Sequence, residues 1–246
     1  MNDLVNADEL LKSAAEDNIV LFDCRFSLMD SEAGKAAYKE GHIPGAIYSD
    51  LNKQLSSPHI PGQTGRHPLP GRNDWIRQVQ LWGITPECRV VVYDDVGGVF
   101  ASRLWWLLRW VGHANVAVLN GGWQAWLAAG GESETQIPEA RLASDYDYSA
   151  LQALSLTIDV ANIDSSKQVL LDAREQKRFD GDMEPIDPVA GHIPGALCSP
   201  TSENLDDDGK IKPAAELREK FAPALAENQK EVVCYCGSGV SAAHNI

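Results

Sequence analysis

Leu21-Phe22-Asp23-Cys24-Arg25, followed by Gly41-His42-Ile43-Pro44-Gly45-Ala46, decides the reading of this chain because it returns. The second occurrence runs Leu171-Asp172-Ala173-Arg174 and then Gly191-His192-Ile193-Pro194-Gly195-Ala196. Further on, Val91-Val92-Tyr93-Asp94-Asp95-Val96-Gly97-Gly98-Val99 matches Val232-Val233-Cys234-Tyr235-Cys236-Gly237-Ser238-Gly239-Val240. A period of about 140 to 150 residues marks a duplicated domain, far longer than a solenoid repeat. In this alignment Asp95 stands where the second copy carries Cys236. A thiol in only one copy of a duplicated fold implies one working site and one retired site.

The 246 residues suffice for two domains, each with its own core. No apolar run approaches the roughly 18 residues of a membrane span, and Met1-Asn2-Asp3-Leu4-Val5 lacks the basic-then-apolar pattern of a secretion signal. Five cysteines without regular spacing argue against a disulfide framework and for a reduced, cytoplasmic protein. A net charge of −14 makes nucleic acid and anionic membranes unfavourable partners. A site for an anionic substrate then needs arginines and backbone N–H groups of its own.

Short apolar runs alternate with helical patterns, as in an α/β domain with a mostly parallel sheet flanked by helices. In the first copy, Ile19-Val20-Leu21-Phe22, Arg89-Val90-Val91-Val92-Tyr93 and Val116-Ala117-Val118-Leu119 read as buried strands. Asn6-Ala7-Asp8-Glu9 reads as a capping box, and 99–111 as a helix rich in Trp and Leu. The first domain is expected over 1–130, a Gly/Pro/Ser-rich and acidic linker over 131–155, and the second domain over 156–246. That second copy should contain strands at Val169-Leu170-Leu171 and Glu231-Val232-Val233-Cys234-Tyr235 and a helix over 214–225. The first copy runs on for about 25 residues past the position matching Ile246. The C-terminal domain is therefore expected to lack its last strand and helix, and the chain to be a fragment.

Cys236-Gly237-Ser238-Gly239-Val240-Ser241 follows an apolar strand and precedes a helical stretch over 240–244. Amides of a Gly-rich turn above a helix start can converge on one point and stabilise a thiolate there, making it nucleophilic. The competing reading is a small buried thiol at a strand end. A tyrosine phosphatase, which needs an Arg closing the loop and a His before the Cys, is disfavoured by Ala242 and Tyr235 at those positions.

With Asp-x-Arg, Gly-His-Ile-Pro-Gly-Ala and a loop after a Val-rich strand in each copy, the chain resembles the tandem rhodanese-domain sulfurtransferases. The resemblance covers essentially the whole chain. It implies two tandem rhodanese-like domains, an inactive N-terminal copy, and a persulfide formed on Cys236. Sulfur would pass from a small anionic donor to cyanide or a thiol, a thioredoxin-like protein among the thiols, without metal or organic cofactor. The uncharged Gly237 and Ser238 resemble the 3-mercaptopyruvate sulfurtransferases, whereas thiosulfate enzymes tend to carry basic residues there. The resemblance also implies that Ser238 polarises the leaving carbonyl or relays a proton, paired with His67 from the Pro/Gly loop over 58–72. It further implies that Gly237, Gly239, Val240 and Ser241 line the site and that Arg178 receives the donor's carboxylate, as a planar guanidinium can with two hydrogen bonds. One departure stands out. Glu184-Pro185 is followed by Ile186-Asp187-Pro188, with no second Arg, which keeps a thiosulfate:cyanide activity open as the alternative. The alternative of another class is a non-catalytic sulfur carrier or interaction module.

Other motifs read as scaffold. Asp23 with Arg25 and Asp172 with Arg174 recur in both copies, including the one without the thiol, as expected of a buried ion pair. His42 and His192 read as hydrogen-bonded turn residues. Cys234 with Cys236 lacks the further ligands a zinc site requires, and Asp206-Asp207-Asp208-Gly209 reads as a surface turn without calcium-loop spacing.

Overall fold

The computed structural model describes residues 3–14, 16, 18–154, 156–226 and 230–246. Met1, Asn2 and Ser155, where the leader and linker readings touch the chain ends and the expected boundary, lie outside them. The chain divides into two units, Met1–Leu156 and Thr157–Ile246.

The first unit contains β1 (Leu4–Val5), α1 (Ala7–Ser13), β2 (Ile19–Asp23), α2 (Ala33–Glu40), β3 (Ile47–Tyr48), α3 (Arg72–Leu81), β4 (Arg89–Tyr93), α4 (Ala101–Trp110), β5 (Val116–Leu119) and α5 (Gly122–Ala128). Its strands form one parallel sheet in the order β1-β5-β4-β2-β3. Crossover helices cover both faces, so β2, β4 and β5 are apolar at nearly every position instead of alternating. On one face Leu21, Val91, Tyr93 and Ala117 pack with Leu10 of α1 and Trp126 of α5. On the other, Phe22 meets Trp82 with ring centroids 4.6 Å apart, and Trp75 of α3 donates to the Leu107 carbonyl of α4 at 2.7 Å. The Trp-rich α4 is thus a packing face, with Leu104, Trp105, Trp106, Leu107 and Leu108 all buried. At the start of α1 the Glu9 carboxylate accepts the Asn6 amide at 3.0 Å, one arm of a capping box. After α5 the chain packs back on this unit: His42 and Glu134 exchange backbone hydrogen bonds at 2.9 and 3.0 Å, and Tyr148 is fully buried.

The second unit contains β6 (Gln168–Asp172), α6 (Gln176–Asp180), β7 (Leu197–Cys198), α7 (Ala214–Leu225) and β8 (Glu231–Tyr235). Its parallel sheet has the order β7-β6-β8. Val169 and Leu171 of β6 pack with Ala224 and Phe221 of α7 and with Cys234, a core position as its place on the strand implies. The helical stretch expected over 240–244 is a five-residue 3-10 turn, Ser241–Asn245, too short to carry the dipole of a regular α-helix.

The two sheets repeat each other in register. β2 pairs Asp23 with Tyr93, and β6 pairs Asp172 with Tyr235. Tyr93 is therefore the counterpart of Tyr235, and Asp94, not Asp95, stands at the position of Cys236. The sequence alignment is shifted by one residue because Val91-Val92 matches Val232-Val233 equally well out of register. Around each aspartate the same clasp closes. Arg25 and Arg174 grip their aspartates at 2.6 Å and donate to the carbonyls of Gly41 and Gly191 at 2.6 and 2.7 Å. The Tyr93 hydroxyl donates to Asp23 at 2.9 Å and accepts the Ile43 amide at 3.1 Å; Tyr235 pairs with Asp172 and accepts the Ile193 amide at 3.1 Å. Burial, foremost, keeps both phenols protonated, with Tyr235 pushed up to about 12. His42 and His192 accordingly serve the turns, each with Nδ1 2.7 Å from a backbone carbonyl and its ring stacked on Tyr38 or Phe179.

Asp172→Ala strands the buried Arg174 guanidinium and is expected to destabilise the second unit by about 3–5 kcal/mol. Urea unfolding of the full chain followed by far-UV circular dichroism checks this. All seven tryptophans lie in the first unit, so their fluorescence reports that unit separately.

Candidate active site

Cys236 follows the last residue of β8, where the chain turns away from the sheet, and is partly exposed. Its Sγ accepts the amides of Gly239 at 3.1 Å and Ser238 at 3.5 Å. Gly239 takes a positive φ of 74°, as does its counterpart Gly97 at 73°, and this left-handed step lets the loop fold back over the residue at the strand end. Val240 is buried at the base of the loop, and its carbonyl accepts the Ala243 amide at 3.1 Å. The turn beyond is pinned from below. Asn245 donates to the Ser199 carbonyl at 2.8 Å and accepts from Asn204 at 2.7 Å, while Asn204 in turn accepts from Lys220 at 2.6 Å. Of the expected loop residues, Ser238 and Gly239 aim amides at the sulfur. Gly237 and Ser241 flank the loop, half-buried.

What such a loop holds is visible in the first unit. There the Asp94 carboxylate fills the equivalent turn, accepting amides from Val96 at 2.9 Å, Gly98 at 2.8 Å, Phe100 at 2.8 Å and Ala101 at 2.9 Å. Asp94 is fully buried. Four converging amides make a cradle for negative charge, and in this copy the charge belongs to the protein itself. Sequence reasoning missed Asp94 through the one-residue shift; the Asp-x-x-Gly-Gly pattern after the strand carried the signal.

Arg178, on α6, does not stand alone. Glu184 accepts from its Nε and Nη2, with distances of 2.8 to 3.2 Å, and Asp187 accepts from Nη2 at 2.7 Å. Glu184 also accepts from Arg174 at 3.3 Å and from the amides of Ile186 and Asp187 at 3.1 and 2.9 Å. Burial alone would raise the Glu184 pKa, but these donors, Arg178 first, bring it down to about 2. The Glu-Pro pair after Arg178 was in view in the sequence. Its role as anchor was not, because only the folded loop turns Glu184 back onto both arginines.

His67 is buried in the first unit, its Nε2 paired with the Asn52 side chain at 3.1 Å and its Nδ1 buried without a hydrogen-bond partner. Burial, then the charges of Arg66 and Arg103, lower its pKa to about 4, so its imidazole is neutral near pH 7. The chemistry these residues offer is nucleophilic: a thiol under two amides, with a fixed guanidinium in the same unit. Among the described residues no group of three or more His, Cys, Asp or Glu is arranged to hold a metal ion, and no helix is long and apolar enough to cross a membrane. All five cysteines are free.

Comparison with known proteins fits this geometry. The family described as Rhodanese-like domain matches residues 6–129 and 159–245. A probable 3-mercaptopyruvate sulfurtransferase of Pseudomonas aeruginosa is 43% identical over 254 residues, covering 99% of this chain and 87% of the relative. A putative thiosulfate sulfurtransferase of Mycobacterium tuberculosis is 42% identical over 246 residues, covering 98% of this chain and 85% of the relative. The solved 3-mercaptopyruvate sulfurtransferase of Leishmania major superposes with a TM-score of 0.85 at 32% identity, covering 99% of this chain and 67% of that one. The chain belongs to the rhodanese-like family, as a sulfurtransferase with two copies of the domain in tandem.

Two outcomes test the electrostatics. Asp94→Ala leaves four amides without their acceptor and is expected to destabilise the first unit by about 2–4 kcal/mol, read from tryptophan fluorescence in urea. Glu184 is held below its ordinary value of 4.5, so the stability it contributes is complete above that pH and is lost as pH falls toward about 2. The circular-dichroism urea midpoint should therefore drop between pH 4.5 and pH 2.5, and drop less in Glu184→Gln.

Proposed function

We propose that this sulfurtransferase takes sulfur from 3-mercaptopyruvate and passes it through a Cys236 persulfide to cyanide or a thiol. The observation that carries the donor assignment is the loop itself: Cys236 Sγ lies under the amides of Ser238 and Gly239, with no charged side chain from 237 to 241. Such a site suits a singly charged donor better than the dianion thiosulfate, which would call for basic residues there. The resemblance of the chain to a probable 3-mercaptopyruvate sulfurtransferase supports the same donor.

In the reaction the Cys236 thiolate attacks the sulfur of the donor. The carbon–sulfur bond breaks, its electron pair leaves with carbon as the enolate of pyruvate, and a proton completes pyruvate. Ser238 is positioned by sequence to polarise the departing carbonyl, and Arg178 to hold the donor's carboxylate. The persulfide that remains is an anion at neutral pH, and loop amides stabilise it as their counterparts stabilise the Asp94 carboxylate. Cyanide or a thiolate then attacks the outer sulfur and frees the Cys236 thiolate. We assign the thiol-acceptor role to a thioredoxin-like protein and the setting to the cytoplasm, where five free cysteines stay reduced. The second reading, thiosulfate as donor, draws on the missing second Arg after Glu184 and on the M. tuberculosis relative.

Steady-state sulfur transfer to cyanide decides between them, with the two donors compared side by side. A higher kcat/KM with 3-mercaptopyruvate is expected, and a preference for thiosulfate would overturn the donor assignment while leaving the persulfide in place. Cys236→Ser is expected to abolish transfer with either donor, and full activity in that variant would sink the mechanism. Arg178→Ala is expected to raise the donor KM about tenfold or more.

A further inference from the structure

A guanidinium offers two forks to carboxylates: one from Nε and one N–H of Nη2, the other from Nη1 and the remaining N–H of Nη2. In Arg178 the first fork is closed by Glu184, which takes Nε at 3.1 and 3.2 Å and Nη2 at 2.8 and 3.0 Å. Glu184 is 5% exposed and is tied as well to Arg174 and to two amides, so it is a permanent occupant. The second fork is the one left to receive a donor, and Asp187 already holds its Nη2 end at 2.7 Å. Asp187 is 17% exposed and its carboxylate uses only one oxygen on Arg178, a lighter hold than that of Glu184.

We propose that Asp187 is a specificity-determining residue: its carboxylate competes with the donor's carboxylate for the Nη1–Nη2 fork of Arg178 and so sets donor affinity. This rests on the reading of Arg178 as the donor's receptor. Where a second Arg after Glu184 would add attraction, this chain places an acid three residues on, and the donor must displace it. A carboxylate that grips both Nη1 and Nη2 gains a bidentate contact that Asp187 does not make, so displacement favours planar carboxylates over tetrahedral anions. Asp187 thereby lowers affinity for every anion but weights the choice toward an α-keto acid.

The experiment is steady-state transfer from 3-mercaptopyruvate to cyanide by the full chain, comparing wild type, Asp187→Asn, Asp187→Ser, Asp187→Glu, Arg178→Ala and the double variant Arg178→Ala/Asp187→Asn. Asp187→Asn and Asp187→Ser are expected to lower the donor KM about three- to tenfold while the cyanide KM stays put, since a neutral side chain holds a guanidinium less firmly than a charged one. Asp187→Glu should bring the KM back toward wild type, and pyruvate, which carries the carboxylate without the sulfur, should bind Asp187→Asn more tightly by calorimetry. In the Arg178→Ala background the Asp187 change should no longer matter. An unchanged or raised donor KM in both neutral variants, with Arg178→Ala still raising it, overturns the competition and spares the Arg178 reading. An equal fall in the Arg178→Ala background makes Asp187 a general repeller of anions and also overturns it. If Arg178→Ala leaves the donor KM unmoved, the Arg178 reading fails and the competition with it.

Discussion

Both sheets depend on an aspartate buried at the end of their central strand. Neither Asp23 nor Asp172 is exposed, and a bare carboxylate at such depth would be costly. Each is made tolerable by an arginine two residues on that grips it with two hydrogen bonds and reaches the carbonyl of the Gly-His turn. A tyrosine from the neighbouring strand then bonds the same aspartate and the isoleucine amide of that turn. One charged pair therefore fixes the strand end, the returning turn and the register of the adjacent strand together. The loop that carries the thiol starts at the residue after that tyrosine. Its position is set by the clasp before any residue of the loop acts.

Within that frame the two copies differ in what fills the cradle. The first holds a carboxylate with four amides and is chemically closed. The second holds a single sulfur with two amides and remains open to another atom. A sulfurtransferase needs that difference, because its thiol must gain and lose a sulfur while the surrounding donors stay fixed. The same contrast appears around the arginines. Arg25 serves its clasp in the first copy, whereas in the second Glu184 links Arg174 of the clasp to Arg178, so that the donor's receptor is braced against the scaffold.

Much of this was legible in the chain. The repeat, the parallel α/β class, the thiol loop and the structural reading of Asp172, Arg174, His42 and His192 follow from short motifs whose chemistry is local. What escaped was of two kinds. Register is a property of strand pairing, and two valines in a row let the alignment slip by one, hiding Asp94 behind Asp95. The hydrogen bonds of Arg178 join residues six and nine positions along an irregular loop, and no periodicity predicts which way such a loop turns. The helical stretch after Cys236 was likewise overestimated, because Ala242 and Ala243 have helical propensity but the turn is held by Asn245 and the residues beneath it.

The carboxylate in the first cradle also bears on the history of the duplication. Exchanging a cysteine for an aspartate there gives four amides a full complement of acceptors, a gain that selection for stability would keep. Reversing the exchange would set one sulfur where two oxygens had been and leave amides unmatched in the interior. The silenced copy thus behaves as a ratchet: it turned easily from chemistry to architecture, and each neighbour that has since adapted to the carboxylate makes the way back steeper.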